Sequence, residues 1–136
     1  SKWIFFPVVF QIILTFIMYA RLSKLKKQAL DSAEVDLDRR SLHNDAWPDY
    51  VLKTTNNIQN QFESPVLFYA LCFMLWALNA VSFWVLLLAW AYFVLRVAHI
   101  FVHTGSNYVP ARKRVFILSV LVLFVLSICV LNGLLV

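Results

Sequence analysis

The chain has 136 residues, of which 62% are hydrophobic and only 14% charged, with a formal net charge of +5. That make-up excludes an ordinary soluble domain of this length and points to a membrane protein. A positive charge carried by a membrane chain is explained by topology and anionic lipid head groups, without invoking nucleic acid.

Trp3 to Leu22 is almost free of charge and reads as a first membrane span. It has no clear small-residue cleavage site and is long for the apolar region of a signal peptide, so it is expected to stay in the membrane. The loop that follows, 23–53, mixes Lys24, Lys26 and Lys27 with six acidic residues. Leu25, Ala29, Ala33 and Leu37 recur every four residues, which either extends the first helix past the bilayer or forms a short amphipathic piece that Pro48 ends.

Ser64 to Leu95 carries no charge over 32 residues. A bilayer core about 30 Å thick takes roughly 20 helical residues, so this run is too long for one span and too short for two. A tight hairpin that borrows polar flanks resolves the mismatch, with its turn at Asn79-Ala-Val-Ser82. The second span is then expected at about 56–78 and the third at about 82–103. Glu63 and Arg96 fall at matching depths inside them, about 21 to 23 Å from the turn at 1.5 Å per residue. An isolated charge there is costly, and the two are expected to meet as an ion pair.

Other polar residues share those faces. At 100° per residue Asn56, Asn60 and Glu63 lie within about 60° of one another, with Lys53 at the edge of the stripe. Arg96, His99, His103 and Asn107 make a comparable stripe on the third span. If the stripes face each other they line a polar cleft; the alternative is that they only bind helices together. His99 and His103 have the i, i+4 spacing of a metal pair, but a site needs a further ligand, and no metal is expected. Gly105-Ser106-Asn107 should end the third helix and Pro110 should start the fourth, at about 113–135. Arg112, Lys113 and Arg114 oppose the helix dipole there, so they serve lipid phosphates or an anionic ligand. Cys72 and Cys129 stand alone in apolar runs and read as buried small hydrophobes.

The basic residues set the orientation. Seven of the 12 Lys and Arg lie between Arg21 and Lys53 and four between Arg96 and Arg114. Positive residues stay cytosolic, so the loop 23–53 should face the cytosol and both termini should lie away from it.

The motif Asn60-x-x-Glu63 followed by Pro65, then Arg96-Val-Ala-His99 with Gly105, Pro110 and Arg112 downstream, resembles the MAPEG family, the membrane-associated proteins in eicosanoid and glutathione metabolism. The resemblance covers nearly the whole chain and implies an all-α integral membrane protein: a four-transmembrane-helix bundle forming one domain, assembled as a homotrimer with its site between neighbours near the cytosol. It implies glutathione as cosubstrate and a lipophilic substrate arriving from the membrane lipids. Arg112 matches an arginine beside the thiol and is the catalytic candidate. Asn60 and Glu63 match positions that contact or support the tripeptide, and Arg96 matches the arginine that partners the glutamate.

The sequence departs from the pattern at three places. Asn56 stands where active members often carry an arginine, leaving Lys53 as the nearest cation. His103 stands where the family has a tyrosine, and Lys113 replaces a serine found in one branch. Lys53, Asn56, Asn60, Glu63, Arg96 and His103 form the expected cosubstrate site. The implied activity is glutathione transfer or peroxide reduction; the alternative is a non-catalytic lipid- or amphiphile-binding protein of the same fold.

Overall fold

The computed structural model describes residues 1–136, which form five α-helices and no strands. They are α1 (Phe5–Asp31), α2 (Asp49–Gln61), α3 (Ser64–Ala77), α4 (Phe83–Thr104) and α5 (Val109–Leu135). Three of them, α1 with the turn before it, α4 and α5, are long and apolar enough to cross a membrane.

The first helix runs to Asp31, nine residues past the expected end of the span at 22, which is the first of the two alternatives the spacing of Leu25 and Ala29 left open. Its 27 residues measure about 40 Å, more than the hydrocarbon core, so the end bearing Lys24, Lys26 and Lys27 extends beyond it. The extension stops where Glu34 N–H bonds back to Ala29 O (3.0 Å) and Ala33 N–H to Leu30 O (3.2 Å). Those two bonds satisfy carbonyls that the helix end would leave bare. Pro48 does not end that helix. It sits at the N-cap of α2, where its missing N–H costs nothing, and α2 therefore begins seven residues before the expected position 56. The connector is only residues 32–48. Arg39 grips both carboxylate oxygens of Asp45 at 3.0 and 3.1 Å, and Lys26 lies over the Trp47 ring. The Arg39 guanidinium holds the Asp45 carboxyl below its ordinary value.

The expected second span is broken. Helix α2 ends at Gln61, Phe62 and Glu63 are non-helical, and α3 restarts at Ser64. Pro65 is the cause: in a continuous helix its ring would collide with the carbonyl of Gln61 and it could not donate to it. The hairpin turn falls where expected. Asn79, at φ 53, closes α3, and Ser82 caps α4 by accepting from Val85 N–H at 3.2 Å.

Packing divides the molecule into layers. Toward the hairpin, Ile4, Phe68, Leu71, Cys72, Leu75, Val85, Ala89, Tyr92, Leu123, Leu126 and Val130 form one apolar core. Toward the connector, Met18, Ile58 and Ile100 form a smaller one. Between them, on the same helices, lies a buried polar layer that includes Gln11, Gln61, Ser64, Arg96 and His99. Cys72 is buried and Cys129 half-buried, both as free thiols.

Candidate functional site

The break at Phe62-Glu63 opens a groove beside the polar layer. Asn56, Gln59, Asn60 and Glu63 line it from α2 and the break, His99 and His103 from α4, and Val109, Arg112, Lys113 and Phe116 from α5. The cavity measures about 450 Å³, large enough for a small organic anion. Two cations and one carboxylate face it, so the lining is net positive.

Each polar wall residue is held by a neighbour. Arg96 is wholly buried, and its Nη2 donates to Asn60 Oδ1. That bond takes the Asn60 oxygen and leaves its NH2 group, a pure donor, available for a ligand. Arg96 Nε and Nη1 have no partner, nor does His99 Nδ1. Unpaired buried donors are expensive, and here three polar atoms without partners belong to two residues one helical turn apart. Arg112 Nη1 donates to Asn107 Oδ1 at 2.8 Å. Asn107 itself sits at φ 52 in the turn between α4 and α5, a conformation that asparagine tolerates better than most residues. The turn thereby aims the guanidinium before any ligand arrives.

Five of the seven expected site residues line this one cavity: Asn56, Asn60, Glu63, His103 and Arg112. Arg96 lies behind the wall, reaching the cavity only through Asn60. Lys53 does not line it. Its Nζ donates to Gly105 O at 3.1 Å, tying α2 to the end of α4. Gly105 admits no side chain, because a Cβ would sit 2.6 Å from Phe101 O.

The expected ion pair between Glu63 and Arg96 is not formed. The single salt bridge in the molecule is Arg39–Asp45 at 3.0 Å. Matching depths assumed a continuous helix; the break releases Glu63 from the stripe, leaves it exposed at the cavity, and gives its place on Arg96 to Asn60. The His99 and His103 rings lie 5.4 Å apart, and no third His, Cys, Asp or Glu completes a metal-binding group.

Sequence reasoning missed Gln59 as a lining residue and, behind the cavity, Asn57 and Gln61. Both of the latter are buried and joined side chain to side chain at 3.2 Å. Thr54 to Gln61 holds one apolar residue, Ile58, so the pattern gave little to say which polar face turns inward.

Helices of this length and apolarity, packed around a polar layer, define an integral membrane protein. The model of the MAPEG family matches residues 4–132, and the chain belongs to that family. Searches of curated proteins and of solved structures return no match.

Proposed function

We propose that the protein is a MAPEG membrane enzyme that uses glutathione, or a similar anionic thiol, against a lipophilic electrophile or hydroperoxide. The observation that carries this reading is the cavity itself: Arg112, Lys113 and Asn60 line it, the Asn60 oxygen is taken by Arg96, and Val109 and Phe116 of α5 give it an apolar side. An anionic tripeptide is the kind of ligand that such a wall attracts. A homotrimer of four-span subunits, with α2 and α3 counted as one broken pass, is part of the same proposal.

The role of Arg112 follows from elementary electrostatics. A free thiol has a pKa near 8.5 and is mostly protonated at neutral pH, whereas a guanidinium beside it favours the thiolate. A shift of about two units corresponds to about 2.7 kcal/mol of differential interaction. In the transferase reaction the thiolate sulfur forms a bond to the electrophilic carbon as the leaving group departs with its electron pair. With a hydroperoxide the sulfur attacks the distal oxygen, the O–O bond breaks and an alcohol leaves; a second thiol then converts the sulfenic acid to a disulfide and water.

Thermal unfolding of the detergent-purified protein tests the reading. Glutathione and its S-hexyl derivative at 100 times the dissociation constant should each stabilise it by about 2.7 kcal/mol. Arg112→Ala should lose most of that gain. No shift in either protein would overturn the proposal.

A second reading, a non-catalytic amphiphile-binding protein, draws on Lys53. The cation nearest the missing arginine is committed to Gly105 O, and Asn56 cannot form the bidentate clamp an arginine offers a carboxylate. A protein stabilised by fatty acids but not by glutathione would favour it.

The orientation belongs to the proposal as well, with the connector cytosolic and both termini on the far side. Single cysteines at positions 37 and 80, in a background lacking Cys72 and Cys129, should react with a membrane-impermeant maleimide from opposite faces of sealed vesicles. Labelling of both from one face would refute the assignment.

A further inference from the structure

The cavity wall contributed by His103 is tied to α1 by side-chain amides that the chemistry above does not use. Gln11 Nε2 donates to Gln61 Oε1 at 2.9 Å, Gln61 Nε2 donates to Asn57 Oδ1 at 3.2 Å, and Asn57 Nδ2 lies 3.3 Å from His103 Nδ1. The three amides are buried, with at most 1% of any exposed. An amide oxygen only accepts and an amide nitrogen only donates. The row therefore has a direction, passed from each member to the next.

Two directions satisfy the spacing. With Asn57 donating to the imidazole, the atom left over is Gln11 Oε1, which has no partner. With every amide reversed, the leftover would be the whole Gln11 NH2 group. Buried carbonyl oxygens go without partners more often than buried N–H groups, which selects the first direction. His103 Nδ1 must then be an acceptor, so it carries no proton. The ring proton of a neutral imidazole is left to Nε2, which no protein atom takes, on a residue that lines the cavity.

We propose that Gln11, Gln61 and Asn57 are positioning residues that hold His103 as the neutral tautomer protonated at Nε2, so that it offers a hydrogen-bond donor to a carboxylate or amide oxygen of the bound ligand. The opposite tautomer would turn a lone pair on that oxygen and repel it. This deepens the reading of the cavity as a site for an anionic peptide-like thiol, and rests on it for the identity of the ligand. The tautomer itself does not depend on that identity.

The test is a long-range proton–nitrogen correlation spectrum of the full chain, labelled with 15N-histidine and held in nanodiscs at neutral pH. The His103 signals are assigned by their loss in His103→Gln. The expected spectrum has Nδ1 bare and Nε2 protonated, and Asn57→Asp, whose carboxylate can only accept, should move the proton to Nδ1. A proton on Nδ1 in the unsubstituted protein overturns the proposal, and so does a tautomer that Asn57→Asp leaves unchanged. The unsubstituted spectrum decides by itself if that variant fails to fold. Glutathione is then added. It should displace the Nε2 resonance and bind about tenfold more weakly to Asn57→Asp, the loss expected for one hydrogen bond to a charged group. The expected tautomer with no response to glutathione would keep the positioning role and overturn the glutathione reading alone.

Discussion

Ala33 closes the first helix at φ 56, in the left-handed region that disfavours a Cβ. The strain amounts to about 1–2 kcal/mol for an L residue, while glycine gives up about 0.5–1 kcal/mol through the freedom of its unfolded chain. The difference predicts that Ala33→Gly raises stability by about 0.5–1 kcal/mol, seen as a higher melting temperature in detergent. A lower one would mean that Ala33 is held by something other than backbone geometry. At this scale the sequence was informative about which residue types meet, and less so about which partner each takes. Asn56 and Asn60 on one helix and His103 on another were legible from helical period, and Arg112 from the family resemblance. The Asn60–Arg96 bond was not, because Glu63 was the obvious electrostatic partner and only the break in the chain removes it.

That break is the feature on which the elements turn. Pro65 stood in the sequence as a residue that no helix interior accommodates without a kink, but periodicity alone does not say that two residues leave the helix altogether. Proline in a helix interior costs about 3 kcal/mol, so Pro65→Ala should favour a continuous helix from Asp49 to Ala77 by about that much. Glu63 would then swing back toward Arg96. In a background lacking Cys72 and Cys129, a cysteine at position 63 should react more slowly with a water-soluble maleimide once Pro65 is replaced. An unchanged rate would show that the cavity, and not the proline, keeps the segment open. Element existence was otherwise legible: the hairpin turn, the fourth helix and the connector all appear in the expected order. The helices themselves run beyond the expected spans, to Asp31 in α1 and from Asp49 in α2 and Val109 in α5, because a helix does not stop where its apolar stretch does.

For the whole molecule, composition alone identified the membrane, and the quoted motifs the family. The layering was not legible, because it depends on which of two adjacent polar faces of α2 turns inward. Its consequence lies in biogenesis. In the proposed four-pass topology the apolar part of the second pass, α3, is 14 residues or about 21 Å long, and α2 before it presents amides and hydroxyls on nearly every side. Such a segment partitions poorly into hydrocarbon by itself, since each unpaired polar group there is costly. Gln61 and Asn57 bond to each other within α2, but their remaining partners, Gln11 on α1 and His103 on α4, come from other helices. On that topology the second pass is expected to complete its entry only after the third has been synthesised, so that assembly in the membrane would run out of chain order.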